Sequence, residues 1–104
     1  MAYLLRSTTL QPEPLTPANG TDFALEELQA LVGGFIEVLR LPGLALGSTS
    51  WMVLNEDGKR LNLAVNLVAT ALVRTIIRPD DDIVGDVVLC SWAEMGEDDE
   101  EPPL

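Results

Sequence analysis

The most apolar stretch of the chain spans residues 83 to 91 and reads IVGDVVLCS. Apolar residues occupy successive positions here instead of alternating with polar ones, which is typical of a strand buried on both faces. The Gly85-Asp86 pair interrupts the run and suggests a β-bulge. We therefore predict a central strand here that is covered on both faces.

Helical patterns lie upstream of this strand. The first follows Thr21 or Asp22, either of which can serve as its N-cap, and Gly33-Gly34 ends it. The second begins after Asn66, which is also a good N-cap residue, and its apolar positions recur at helical spacing. Both segments are predicted to be amphipathic helices that pack on a sheet.

The other predicted strands cover residues 2 to 9, 35 to 41 and 51 to 55, and residues 60 to 63 suit a short returning strand. Residues 56 to 59 contain Asp-Gly and are predicted to form a tight turn in which glycine supplies a positive φ. Residues 11 to 20 contain three prolines and are predicted to be a loop.

The resulting order is β-α-β-β-α-β, so the fold class is predicted to be α+β. This order matches a ferredoxin-like split βαβ plan, with an antiparallel sheet and both helices on one face. A β-grasp-like roll around one main helix is the alternative topology. At 104 residues the chain suits a single domain, predicted over residues 1 to 92.

Acidic residues dominate the charge balance. Seventeen acidic and six basic residues give a net charge of −11, and residues 93 to 104 contain six of the acids and no base. These residues are predicted to be a disordered acidic tail. The charge argues against direct binding to nucleic acid or to an anionic membrane, and it favours a basic protein partner.

The chain contains no histidine and one cysteine, Cys90. The commonest general base and transition-metal ligand are therefore absent, and so are zinc sites built from histidine and cysteine. We expect no enzyme activity, no catalytic residues, no metal and no cofactor. Cys90 follows Val88 and Leu89, so a buried structural thiol is expected.

Four blocks along the chain resemble a known family. Their sequences are LEELQALVGGFIEV (25 to 38), VLNEDGK (53 to 59), VNLVAT (65 to 70) and IVGDVVL (83 to 89). Together they resemble the domain of unknown function 3846, over roughly residues 23 to 90. The resemblance implies a small protein of bacteria, phages and mobile elements with no assigned chemistry. Ala24 stands where a capping Ser or Thr is expected, and the acidic tail lies outside the resemblance.

Polar residues around the predicted turn are the candidates for ligand binding. Asn55, Glu56 and Asn66 could meet at one end of the sheet, and Lys59-Arg60 is the only adjacent pair of basic residues. Local roles compete with this interpretation, since asparagine stabilises turns and caps helices. A solvated loop is expected for the aspartates at 80 to 82, because successive side chains of an extended chain diverge.

Trp51 and Trp92 are the candidates for an interface, where tryptophan is enriched. Each also stands at a predicted strand end, where partial burial is ordinary.

A regulatory protein-binding function of phage or mobile-element type is therefore the leading hypothesis. One alternative is a binding or sequestering protein for a small, nucleotide-like ligand, and another is a DNA mimic that inhibits a nucleic-acid-binding protein. The start of the chain lacks a secretory signal, so a cytoplasmic location is expected. Edge strands need protection, for which a homodimer is one solution.

Overall fold

The computed structural model describes residues 1 to 96. They contain five strands, two α-helices and two short 3-10 helices. The strands are Ala2–Leu5 (β1), Glu13–Leu15 (β2), Ile36–Arg40 (β3), Trp51–Asn55 (β4) and Val87–Cys90 (β5). The α-helices are Leu25–Val32 (α1) and Leu67–Val73 (α2), and the 3-10 helices are Leu46–Ser48 and Ala93–Met95.

All five strands form one antiparallel sheet in the order β2-β1-β5-β4-β3. The predicted α+β class is confirmed. The prediction of a central strand is confirmed, because β5 lies between β1 and β4 and its four residues are all buried. The strand covers only residues 87 to 90 of the predicted 83 to 91, and Val84 forms an isolated bridge with Val65.

The order of the strands differs from the predicted split βαβ plan. In that plan the first strand separates the last strand from the third, whereas here β5 lies between β1 and β4. The reason is that β5 is buried along its whole length and takes the centre of the sheet. β1 is therefore displaced towards the edge, where β2 pairs with it.

The two helices lie on opposite faces of the sheet, so the prediction of both helices on one face is wrong. Val87 and Leu89 pack in a core cluster with Ala69 and Val73 of α2. Val88 and Cys90 pack in a second cluster that includes Leu28 and Val32 of α1. Because β5 is apolar on both faces, each face requires its own cover. This three-layer arrangement also differs from a roll around one main helix.

Local predictions need three corrections. The first strand ends at Leu5 rather than residue 9. β2 lies within the predicted loop, because an edge strand tolerates a residue such as Pro14 that lacks an amide proton. Residues 60 to 63 were expected to form a short strand. They belong instead to a long series of turns, which closes with a hydrogen bond from the Leu63 amide to the Gly58 carbonyl.

The turn at 56 to 59 is confirmed, but the predicted reason for its glycine is wrong. Gly58 does not have a positive φ, whereas Asn62 has a φ of 55°. A Cβ at Gly58 would lie 2.8 Å from Cγ2 of Val84. Glycine is therefore needed for close packing against the segment that precedes β5.

The N-cap of α1 is Ala24 instead of Thr21 or Asp22. Asn19 accepts hydrogen bonds from the backbone amides of both predicted caps, which holds them in the preceding loop. Glu27 compensates for the missing side-chain cap, because its carboxylate accepts hydrogen bonds from the amides of Ala18 and Ala24. The predicted end of α1 is confirmed, since Gly33 has the left-handed conformation with a φ of 82°.

The predicted acidic tail begins within the described residues. Ala93–Met95 form a 3-10 helix, and the Glu94 carbonyl accepts a hydrogen bond from the Phe23 amide at 2.7 Å. The segment is thereby joined to the entry of α1. The rest of the predicted tail, residues 97 to 104, lies outside the described residues. Over residues 1 to 96, no helix combines the length and the apolar character needed to cross a membrane.

Candidate functional site

An apolar groove of about 470 Å³ lies on the α1 face of the sheet, next to the edge strand β3. We call it the aromatic groove. It is lined by residues of α1, β3, β4, the C-terminal 3-10 helix and the segments that precede the two helices: Phe23, Leu25, Leu28, Ile36, Val38, Trp51, Trp92 and Met95. Leu25 is 53% exposed and Val38 is 37% exposed, so apolar surface on both walls of the groove is open to solvent.

The two tryptophans of the chain meet in this groove. The ring centroids of Trp51 and Trp92 are 5.0 Å apart with an interplanar angle of 41°. The guanidinium carbon of Arg40 lies 5.1 Å from the centroid of the Trp51 ring, within the range of a cation–π interaction. The structure therefore brings the two predicted interface residues together, beside a cation.

β3 forms the outer edge of the sheet beside the groove. Within the described part of the chain it pairs only with β4, from Ile36 opposite Asn55 to Arg40 opposite Trp51. Ile36 and Val38 point into the groove, while Glu37 and Leu39 line a cleft on the opposite face. This alternation follows directly from the pleat of a strand.

Three acidic residues are sequence neighbours of residues that line the groove. Within residues 1 to 96, no basic side chain forms an ion pair with Asp22, Glu26 or Glu37. Asp22 precedes Phe23, Glu26 follows Leu25, and Glu37 stands between Ile36 and Val38. Acids without an ion pair in residues 1 to 96 are thus sequence neighbours of the groove lining, although the Glu37 side chain lies on the opposite face of the sheet.

A second cavity, of about 490 Å³, lies between the turn after β4 and the loop before β5. We call it the charged cleft. Four of the five predicted ligand-binding residues line it, namely Asn55, Glu56, Lys59 and Arg60. Asn66 does not line it, because this residue is buried at the start of α2.

The basic residues of the charged cleft already contact carboxylates. Lys59 is paired with Asp81, Arg60 with Asp57, and Arg78 with Asp80. The aspartates at 80 to 82 thus form ion pairs, including one between Asp82 and Arg74, while Asp80 and Asp82 stay exposed as expected of a solvated loop. An anionic ligand would have to compete with these carboxylates for the same cations.

Both candidate asparagines have structural roles. The Asn55 amide donates to the Val32 carbonyl at 3.1 Å, and its oxygen accepts from the Asp57 amide at 2.8 Å. Asn66 accepts from the Ala69 amide at 3.1 Å, as expected of an N-cap. Both side chains thus use their amide and carbonyl groups in internal hydrogen bonds.

The single thiol lies in the core. Cys90 is fully buried, and burial, followed by the negative charge of Glu94, raises its pKa to about 12. The thiol is therefore protonated at neutral pH. Over residues 1 to 96, no group of three Asp, Glu or Cys side chains converges in a way that could hold a metal ion.

Residues 2–103 match the model of the family described as Domain of unknown function (DUF3846). The chain belongs to this family. The match confirms the resemblance and extends it, since the DUF3846 region includes β1 and nearly all of the acidic C-terminal segment, which was expected to lie outside. No significant match is found among curated proteins or solved structures.

Sequence reasoning missed most of the aromatic groove of this DUF3846 domain. Leu25 and Leu28 carry the pattern of an ordinary buried helix face, and Met95 was assigned to the tail. The contact between Trp51 and Trp92 depends on β4 and β5 being neighbours. The available signal was that both tryptophans stand at strand ends.

Proposed function

We propose that this domain is a regulatory accessory protein that binds a basic protein partner through the aromatic groove. The carrying observation is the exposed apolar groove with a pair of tryptophans, whose lining residues have acids as sequence neighbours. Exposed apolar grooves with aromatic residues are typical of protein-binding sites. A phage or mobile-element context remains part of the proposal and rests on the family resemblance.

Charge complementarity selects the chemistry of the partner. The net charge of −11 attracts basic proteins over a distance and repels acidic ones. Asp22 and Glu26, next to groove residues in the sequence, and Glu37, on the opposite face of β3, offer carboxylates to lysine or arginine side chains of the partner. The proposed partner therefore carries an apolar segment flanked by basic residues.

Binding is favoured over catalysis by the inventory of reactive groups. The chain has no histidine, and its one thiol is buried and protonated. DNA mimicry by the folded surface is less favoured than an apolar contact, because carboxylates of the 80 to 82 loop are engaged in ion pairs.

Two matched substitutions test the groove. Leu25 and Leu67 are the first residues of α1 and α2, and they are 53% and 65% exposed. Only Leu25 lines the groove. Leu25→Glu and Leu67→Glu therefore add the same charge at equivalent helix positions, where the helix dipole favours an acid.

The experiment is native purification of the full chain from its host, followed by native mass spectrometry and titration of the isolated partner. We expect a stoichiometric basic partner whose affinity falls at least tenfold with Leu25→Glu and less than twofold with Leu67→Glu. The proposal is wrong if the wild-type chain retains no partner, or if Leu25→Glu binds the partner as tightly as the wild type.

A small anionic ligand in the charged cleft is the second candidate, because that cleft gathers Lys59, Arg60 and Arg78. Thermal unfolding with a panel of nucleotides at millimolar excess tests it, since a ligand that binds the folded state raises Tm. An unchanged Tm with every nucleotide would exclude this candidate, and Lys59→Ala should abolish any increase.

A further inference from the structure

The hydrogen-bonding register of β3 shows which of its backbone groups face outward. The Glu56 amide donates to the Phe35 carbonyl at 2.9 Å, and the Leu41 amide donates to the Ser50 carbonyl at 2.8 Å. Hydrogen-bonded and non-hydrogen-bonded pairs alternate along an antiparallel ladder. Residues 35, 37, 39 and 41 therefore bond to β4, while the groups of residues 36, 38 and 40 point away from the sheet.

Two of these outward positions are available to another strand. Across the described chain, the amide and carbonyl groups of Ile36 and Val38 have no partner on that side. Their side chains point into the aromatic groove. A strand that added to this edge would thus gain backbone hydrogen bonds and apolar contacts at the same residues.

The two edges of the sheet differ in how they are protected. β2, at the other edge, has three residues, of which the middle one is Pro14. Short length and proline both hinder pairing with a further strand. β3 has five residues, IEVLR, and no proline. An incoming strand therefore finds a pairing surface at β3.

We propose that the partner supplies an extended strand that pairs with β3, and that apolar and basic residues alternate along this strand. Its apolar side chains enter the groove beside Ile36 and Val38, and its basic side chains lie on the opposite face beside Glu37. The proposal rests on the proposed function and adds to it the conformation and the residue pattern of the bound segment.

A second copy of this chain fits the same edge poorly. Directly opposed residues of an antiparallel pair share a face, but Glu37 and Arg40 are three positions apart and lie on opposite faces. No antiparallel pairing of β3 with a second β3 can therefore place Glu37 of one copy directly opposite Arg40 of the other. Two copies with a net charge of −11 each also repel one another.

The probe is a nine-residue peptide of alternating lysine and valine, labelled with a fluorophore and titrated with the full-length protein by fluorescence anisotropy. We expect saturable binding that weakens as salt increases. The same peptide with glutamate in place of lysine should bind at least tenfold more weakly. Equal binding of the two peptides would overturn the proposal that the partner strand carries basic residues in alternation with apolar ones.

Backbone pairing is tested by methylating the amide nitrogens of either the valines or the lysines. In a strand bound at one edge, the amides of only one alternate set face β3. Antiparallel pairing predicts that methylation of the valine amides lowers the affinity of the peptide at least tenfold. Methylation of the lysine amides should change the affinity less than threefold. Equal effects of the two methylations would overturn strand addition.

Protein variants give a second test of the same contact. Val38→Pro removes an outward amide that β4 does not use, whereas Val38→Thr keeps that amide and the branched shape. We expect the affinity for the peptide to fall at least tenfold with Val38→Pro and less than threefold with Val38→Thr. Circular dichroism checks that both fold, and the methylated peptides decide the question if the proline variant does not.

Two outcomes separate this inference from the proposed function. If Leu25→Glu releases the natural partner but neither Val38→Pro nor methylation weakens binding, the groove binds protein without strand addition and only this inference fails. If native mass spectrometry shows a dimer that Val38→Pro dissociates, a second copy occupies the edge and the inference is wrong.

Discussion

The side-chain amide of Asn66 donates a hydrogen bond to the backbone carbonyl of Leu5 at 2.9 Å, although the two residues are 61 positions apart. The same amide donates to the Gly85 carbonyl at 2.9 Å, and the side-chain oxygen caps α2. Asn66 is fully buried. One side chain thus joins the end of β1, the segment before β5 and the start of α2.

Replacing Asn66 with alanine should destabilise the fold strongly. The substitution leaves two buried carbonyls and one helix amide without these partners, and each such loss costs about 1–3 kcal/mol. We expect Asn66→Ala to lower the free energy of unfolding by about 3 kcal/mol or more, measured by urea denaturation. Asn66→Ser keeps a capping oxygen but not the two donors, so its loss should be smaller. A loss below about 1 kcal/mol for alanine would contradict this role.

Some contacts of Asn66 could be predicted from the sequence and others could not. Its cap was predictable because asparagine precedes a helical pattern, and the cap involves only residues three positions apart. The bonds to Leu5 and Gly85 depend on where β1 and β5 meet, which local periodicity does not encode. The same limit explains the strand order, since the β1–β5 pair joins the two ends of the domain.

Gly58 should not tolerate a side chain, because an added Cβ would lie 2.8 Å from Cγ2 of Val84. Overpacking of this kind typically costs about 1–3 kcal/mol. Gly43→Ala is the matched control, since nothing lies within 4 Å of a Cβ at Gly43. We expect Gly58→Ala to lower Tm by several degrees and Gly43→Ala to leave it nearly unchanged.

The double variant Gly58→Ala, Val84→Ala identifies the clash as the cause. Removing the valine methyls makes room for the new Cβ, so the combined loss should be smaller than the sum of the two single losses. Additive losses in a double-mutant cycle would show that the 2.8 Å approach to Val84 is not the source of the effect.

The aromatic groove was only partly predictable for a related reason. Trp51 and Trp92 stood out by residue type, but the walls of the groove come from α1 and β3, whose apolar residues resemble an ordinary core face. Solvent exposure distinguishes the walls of a groove from a core face, and this exposure depends on how the helices and the sheet pack together. The placement of α1 and α2 on opposite faces is what leaves Leu25 and Val38 uncovered beside β3.

Ala24→Ser should stabilise the protein. Ala24 has an extended conformation at the N-cap of α1 and no side-chain oxygen to bond the first helix amides. Serine in place of alanine at an N-cap contributes about 0.5–2 kcal/mol. We expect a gain near the lower end, because Glu27 already serves the Ala24 amide. Ala30→Ser, at an exposed position within α1, is the control and should give no gain by urea denaturation.

Cys90 predicts a specific dependence of stability on alkaline pH. Burial raises the pKa of this thiol from its ordinary value of 9.0 to about 12. Between these values the unfolded chain has released the proton and the folded chain retains it, so the unfolded state binds fewer protons. Stability contributed by the neutral thiol is therefore complete below pH 9 and is lost as pH rises towards 12, by at most about 1.4 kcal/mol per pH unit.

The comparison of wild type with Cys90→Ala isolates this effect from other groups that titrate in the same range. At pH 7 the alanine variant should be the less stable, by about 1 kcal/mol, because it leaves a small cavity. Above pH 9 the wild type should lose stability faster, so the difference narrows and then reverses. Urea denaturation at pH 7, 9 and 10.5 measures it. A difference that stays constant over this range would show that the thiol ionises equally in both states.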